Sequence, residues 1–457
     1  MYLCLQIDVG GTSGFLFNGI MDFYDRENEL LLLAETEALS EHSARMTVIV
    51  GRRRVGKTSL AKKAFEGRPF LYFFVARKAE SLLCQEFVDE IEFGLKKPVP
   101  GEFKSFIKLF EYLLIMSQSE PFTLIIDEFQ EFYQINDYVY SEMQNLWDRY
   151  KSTSKMNLIL SGSVYSLMKK FFENAKEPLF GRANERIHLK PFSVEVIKTI
   201  VTDHRRACKP LDLLAFYILT GGVAKYVEIF TDKNSFSLKQ LLDEIFRENS
   251  LLLEEGKNIL IEEFGKEYTT YFSILSLIAS SKTSRSDIES ILEKNIGGYL
   301  ERLENDYQII RSIRPFLLKP NGRVQKYLIE DNFLGFWFRF IYKYRSAIEI
   351  GNYAYVRAIV ERDFNTFSGP YLEKYFRAKI ALSGNYSQVG QYWEKRNQNE
   401  LDIVAINDLE KKVLIGEVKL NKNKINLDQL KIKSTGLTNK LGGFEVSYAG
   451  FSPEDMF

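Results

Sequence analysis

"MTVIVGRRRVGKTSLAKKAF", residues 46–65, joins a β-branched run to a glycine-bounded turn and then to an amphipathic segment. Met46–Val50 predicts a buried strand. Gly51 opens the turn, Arg52, Arg53, Arg54 and Val55 fill it, and Gly56-Lys57-Thr58 starts a helix that continues through Ser59. This is G-x-x-x-x-G-K-[ST] in the strand-loop-helix setting that the motif requires. The two glycines let backbone N–H groups wrap around phosphates, and the helix N-terminus favours negative charge. Lys57 is placed to reach the β- and γ-phosphates, and the Thr58 hydroxyl to ligate magnesium. ATP and Mg2+ are therefore the expected ligands, with Gly51–Ser59 as their cradle.

Such a cradle needs an acid at the end of a second buried strand, and "FTLIIDEFQEF" supplies one. Phe122–Ile126 is continuously apolar, as a strand covered on both faces should be. Asp127 follows as the magnesium-orienting acid, with Glu128 beside it as a base for the attacking water. Further apolar runs at 68–76 and 156–163 alternate with helical stretches such as "SEMQNLWDRYKS", which predicts a parallel sheet with helices on both faces. Ser161, just past "NLIL", is a candidate γ-phosphate sensor or simply a strand-end serine. Arg182, after the glycine turn in "EPLFGRANERIHLKPF", is a candidate arginine finger or nucleotide-state sensor, or a solvated arginine. A finger acting between subunits would require an oligomer.

Together "GRR-VGKTSL", "LIIDEFQ", "LILSGS", "LFGR" and "LTGGVAKYV" resemble the archaeal-type ATPase family, within the P-loop class that holds AAA and STAND proteins. The resemblance covers roughly residues 22–240 and implies ATP hydrolysis by the residues named above. It departs from the family at Gly221-Gly222, which is followed by Val223-Ala224 where a Gly-Gly-x-Pro is usual. A helix C-cap is the plainer reading of the glycine pair.

Downstream the pattern becomes helical and then β-like. "YTTYFSILSLIAS", the Ser-capped "SRSDIESIL" and "GGYLERLENDYQIIRSI" read as three helices. "RPFLLKPNGRVQKYLIED" reads as a hairpin turning at Pro320-Asn321-Gly322. That is the layout of a winged helix-turn-helix over 257–345. Arg311, Arg314, Lys319, Arg323 and Lys326 run without an intervening acid and are candidates to neutralise phosphates. Glu301, Glu304 and Asp306 on the third helix would repel a nucleic-acid backbone, so DNA and a protein both stand as candidate partners. The aromatic "NFLGFWFRFIYKY" reads as core.

In the tail, "ELDIVAIN" and "KVLIGEVKL" form two alternating strands joined by "DLEKK". A hairpin with the Glu417/Lys419 face turned inward brings Asp402 and Glu417 together as metal oxygen ligands, with Lys419 beside them. The helix "PYLEKYFRAKI" offers Glu373 as a further acid, and "LDQLKIKS" offers Gln429. This arrangement resembles the PD-(D/E)XK nuclease superfamily. It is closer still to the C-terminal domain of unknown function that accompanies archaeal-type ATPases. The resemblance covers residues 355–457. Leu401 stands where the superfamily motif has a proline, and some such domains bind nucleic acid without cutting it.

The remaining composition is consistent with this α/β organisation: a P-loop ATPase domain with a helical lid (21–250), an all-α and winged-helix middle (257–345), and a small α/β nuclease-like tail. The chain has 457 residues, with 45% hydrophobic and 27% charged. Its 61 basic and 61 acidic side chains cancel, so any nucleic-acid contact must come from a local patch. Cys4, Cys84 and Cys208 are isolated, and the only histidines are His42, His188 and His204, which disfavours disulfides and structural zinc and fits a reducing cytosol. No apolar run reaches the roughly 20 residues of a membrane span. Residues 1–20, with the glycine turn "IDVGGTSG", read as an appendage before Met21.

Overall fold

The computed structural model describes residues 23–205, 207–264, 268–317, 324–394 and 398–457. The appendage, the proposed turn at 320–322, and Lys319 and Arg323 lie outside them. The front of the chain builds a five-stranded parallel sheet from β1 (Arg45–Val50), β2 (Phe70–Phe74), β3 (Phe122–Asp127), β4 (Met156–Gly162) and β5 (Glu185–His188). Their spatial order is β2-β3-β4-β1-β5. Every residue of β3 and β4 is buried, which explains their largely apolar sequences. Because β4 lies between β1 and β3, the phosphate loop and Asp127 face each other across the carboxyl end of β4. Leu83, Phe87, Phe106, Phe110 and Trp147 cover one sheet face; Leu33, Leu60, Ala61 and Phe65 cover the other.

The middle of the chain follows the expected order. Helices Leu251–Phe264, Tyr268–Ala279, Arg285–Leu292 and Gly297–Glu301 precede the antiparallel pair β6 (Ile310–Ile313) and β7 (Lys326–Ile329). Ser284 caps its helix by accepting the Asp287 amide at 3.1 Å, as the sequence suggests. The aromatic stretch is core: Phe333, Phe336, Trp337, Phe338 and Phe340 are all buried.

The tail begins with a 30-residue helix, Tyr353–Leu382, of which "PYLEKYFRAKI" is the last third. β8 (Gln388–Tyr392), β9 (Leu401–Asn407), β10 (Lys412–Val418) and β11 (Glu445–Phe451) form a mixed sheet in the order β11-β10-β9-β8. β9 and β10 pair as the expected antiparallel hairpin, with Gly416 opposite Ile403. Helix Leu427–Thr438 crosses over to bring β11 parallel to β10.

One continuous apolar cluster runs from Phe192 through Leu213–Leu219, Trp337 and Tyr375 to Met456. Lid, middle and the long tail helix therefore share one interior, while Leu401, Val404, Ile406, Val413, Ile415, Leu430 and Leu437 form a separate core on the other face of the tail sheet.

Candidate active site: the phosphate-loop cleft

Lys57–Ala64 is the helix that the loop feeds, and Gly56 enters it with φ of 95°, a conformation L side chains rarely adopt. A Cβ on Gly51 would lie 2.5 Å from the Leu189 carbonyl oxygen, so the loop's entry also needs glycine. The Thr58 hydroxyl donates to Asp127 Oδ2 at 2.6 Å, and the Tyr72 hydroxyl donates to the same oxygen at 2.8 Å. Strand β3 and the loop helix thus bring a hydroxyl and a carboxylate together, a hard-oxygen pair of the kind Mg2+ takes. Lys57 is buried, with Nζ donating to the carbonyls of Gly51 (2.9 Å) and Arg52 (3.0 Å). Burial pushes its ammonium down to about 8, against the opposing pull of Glu128 and Asp127.

Glu128 sits in the left-handed region at φ 54°, uncommon for a non-glycine residue, as the chain leaves β3. Its Oε2 accepts from the Ser163 hydroxyl at 2.7 Å and from the Gln130 amide. The cleft, of about 870 Å3, is lined by Arg53–Ser59, Asp127, Glu128 and Ser163, and continues to Phe23, Tyr24, Phe192 and Ile229. Those apolar and aromatic walls extend from the phosphate loop as a nucleotide's base and sugar would require.

Several expected residues fall elsewhere. Gly51 and Arg52 do not line the cleft; Gly51 contributes its carbonyl to Lys57, and the Arg52 side chain turns to Asp331, 3.1 Å away. Arg54 lines the cleft, and its guanidinium also reaches Glu255 at 2.5 Å. Ser161 is fully buried inside β4, with no hydrogen-bond partner for its hydroxyl among the described residues. The strand ends at Gly162, and the turn beyond it delivers Ser163 to the cleft instead. Arg182 is clamped to Asp148 (2.7 Å) and to the Phe180 carbonyl (3.0 Å), outside the cleft. Gly221 does cap the helix Pro210–Thr220, its N–H donating to the Tyr217 carbonyl at 2.9 Å. Ser163, Gln130, Glu255 and Asp331 carried no local signal in the sequence.

The tail brings its expected residues together. Lys419 Nζ lies 3.6 Å from Asp402 Oδ2 and 3.3 Å from Glu417 Oε1. Asp402 Oδ2 also accepts the Val418 amide at 2.8 Å, and Glu417 Oε2 the Asn426 amide at 3.1 Å. Burial works against ionising Glu417, but the Asn426 amide, Lys419 and Lys433 outweigh it and hold the carboxyl below its usual range. Glu373 accepts from Arg377 (3.2 Å) and Gln391 (3.0 Å), and burial together with Asp402 pushes it up to about 7. Gln429 is exposed; its helix presents Lys433 instead, 3.6 Å from Glu417. The carboxylates are thus knit to cations, and among the described residues no group of three or more His, Cys, Asp or Glu could hold a metal. In the middle region, Arg311 pairs with Glu330 (2.9 Å) and Lys326 with Glu400 (3.1 Å). Two members of the expected basic strip are therefore paired with acids.

A five-stranded parallel sheet, a phosphate loop at its carboxyl edge and an Asp-Glu pair across the cleft define a P-loop ATPase. Residues 23–230 match the family model described as "ATPase domain predominantly from Archaea", and residues 337–432 match one described as "Archaea bacterial proteins of unknown function". The chain thus carries an archaeal-type ATPase domain, which makes it an ATPase, followed by a second domain whose family description assigns no activity. An uncharacterized protein of Methanocaldococcus jannaschii is 28% identical over 410 residues, 87% of each chain. Among solved structures, the Walker-type ATPase of Pyrococcus abyssi is similar at 21% identity and a TM-score of 0.53. That alignment covers 70% of this chain and 97% of the other, and the likeness is one of fold. The ORC2 protein of Aeropyrum pernix aligns at 15% identity and a TM-score of 0.49, over 72% of this chain and 95% of its own. Among the described residues no helix is long and apolar enough to cross a membrane.

Proposed function

We propose that the protein hydrolyses ATP with Mg2+ and couples its nucleotide state to engagement of a nucleic-acid backbone. The observation that carries the first part is the 2.6 Å bond from Thr58 to Asp127, with Glu128 one residue further on. Mg2+, when bound, would neutralise charge on the β- and γ-phosphates. Thr58 and Asp127 would hold it, and Lys57, Arg53 and the loop amides would grip the phosphates. Glu128, oriented by Ser163 and Gln130, would accept a proton from the attacking water. Turnover of ATP tests this. Glu128→Gln should cut kcat by about 100-fold or more while nucleotide still binds, and Lys57→Ala should weaken both binding and turnover. Wild-type turnover surviving in Lys57→Ala would end the reading.

For nucleic acid, the support is the tail cluster of Asp402, Glu417, Lys419 and Lys433, which resembles the PD-(D/E)XK arrangement. The same cluster, with each acid held by a lysine, favours binding over cutting. A magnesium or manganese nuclease assay with Glu417→Ala and Lys419→Ala controls decides between them. A second reading, a slow STAND-like switch that docks a protein through the winged-helix-like middle, draws on a different observation. Lys169 and Tyr165 of the ATPase domain hold the end of the third middle helix, at Asn305 O (3.3 Å) and Gln308 (2.9 Å). ATP turnover unaffected by single- or double-stranded DNA would favour that switch.

A further inference from the structure

Two buried carboxylates, distant from the phosphate loop in sequence, take its arginines as partners. Asp331, just after β7, receives Arg52 at 3.1 Å, while its other oxygen accepts the Leu334 amide at 2.9 Å. Glu255, on helix Leu251–Phe264, receives Arg54 at 2.5 Å and the Tyr226 hydroxyl at 2.8 Å. The side chains of Asp331 and Glu255 are only 4% and 1% exposed, so each would be left as a buried, uncompensated charge if its arginine withdrew. Arg54 is itself held at a left-handed φ of 69°, and its carbonyl accepts the Lys225 amide at 3.1 Å.

The residues flanking Asp331 continue the connection. Lys374 donates to the Glu330 carbonyl (2.5 Å) and to Asn332 Oδ1 (3.0 Å), and it sits on the tail helix next to Glu373. One helical turn on, Arg377 bonds both Glu373 (3.2 Å) and the Asp402 carbonyl (2.7 Å). Polar contacts thus run from Arg52 through residues 330–332 to Lys374, and the tail helix itself carries the connection from Lys374 to Glu373 and Arg377. At its other end, Lys57 donates to Arg52's own carbonyl at 3.0 Å, and Lys57 is the side chain that a phosphate would claim.

We infer that Asp331 and Glu255 are positioning residues of the nucleotide site, and that Asp331 with Lys374 transmits the setting of the phosphate loop to the tail acid cluster. The inference rests on the nucleotide-site reading above. When Lys57 turns from the Arg52 carbonyl to a phosphate, the loop segment carrying Arg52 re-seats, and the 330–332 strap follows because Asp331 cannot give up its guanidinium. That differential contact is what a coupled pair of sites requires.

The test is hydrogen exchange of the full chain with and without a non-hydrolysable ATP analogue and magnesium, alongside binding of a fluorescent ATP analogue. Wild type should change protection in residues 324–334 and 371–378 on binding nucleotide. Asp331→Asn should bind nucleotide but lose the change at 371–378. Its KM for ATP should rise about tenfold with kcat nearly kept. Arg52→Gln should behave alike, and Arg52→Lys should recover most of the KM. Should Asp331→Asn fold poorly, Lys374→Met carries the same question: the response at 324–334 should persist and that at 371–378 should vanish. Nucleotide binding with no response at 371–378 in wild type, or with an undiminished response in these variants, overturns the coupling alone. Failure of wild type to bind nucleotide overturns both the coupling and the site it rests on.

Discussion

Lys57 shows how burial and function compete in a single side chain. Burial lowers its ammonium to about 8, whereas in the unfolded chain it titrates near 10.5. Two signs follow. Between these values the unfolded chain binds more protons, so the lysine's contribution to stability improves as pH rises from 8 to 10.5. The proposed grip on phosphate would run the other way, because it needs the ammonium. ATP affinity should fall by up to about tenfold per pH unit above 8, measured by titration with a fluorescent analogue, and Lys57→Arg should flatten the profile. Glu373 is the opposite case. Its carboxyl is raised from 4.5 to about 7, so the folded state holds a proton that the unfolded chain releases, and stability falls as pH rises through that window. Glu373→Gln should remove about 1–2 kcal/mol of that fall between pH 5 and 7.5, read by chemical denaturation at each pH. Of these two residues, Lys57 was legible from its motif. Glu373 was legible only as an acid on a helix, since its pKa depends on Asp402 and Arg377 folding around it.

Elements that position the cleft are fixed by close approach as much as by hydrophobic pattern. Gly222, just past the helix Pro210–Thr220, has φ of 73°, and its carbonyl accepts the Phe192 amide at 2.7 Å. A Cβ there would run into the Phe192 carbonyl oxygen, which is backbone and cannot step aside. Gly222→Ala should cost roughly 2 kcal/mol or more by denaturant titration, and should loosen the contact of Phe192 and Ala224 with the cleft. The sequence marked this glycine pair as a helix end, and the structure places it between the lid and the cleft wall. Strands were more legible than their ends. β3 and β4 announce themselves because burial on both faces leaves them mostly apolar. The turn after Gly162 has no such signature, and that turn decides that Ser163, rather than Ser161, reaches Glu128.

At the scale of the whole molecule, packing cuts across the apparent domain pattern. One apolar interior joins Phe192, the lid, the middle and the long tail helix, while the front sheet keeps its own two layers and the outer face of the tail sheet a core of its own. Hydrogen exchange under increasing denaturant should therefore show amides in 213–219 and in 372–376 losing protection together, apart from those of β3 and β4. Separate transitions for segments ending near 250 and 350 would contradict a shared core. The sequence by itself determined the phosphate loop, the acid that faces it, the alternation of buried strands with helices, and the tail hairpin. Each of these is encoded by residues adjacent in the chain, through turn geometry, capping and periodicity. Tertiary structure alone decided which carboxylates hold Arg52 and Arg54, and which lysines knit the tail acids. Those pairings join residues as far apart as Arg52 and Asp331. A side chain's partner across such a distance is set by how the sheets and helices pack, and no local pattern carries it.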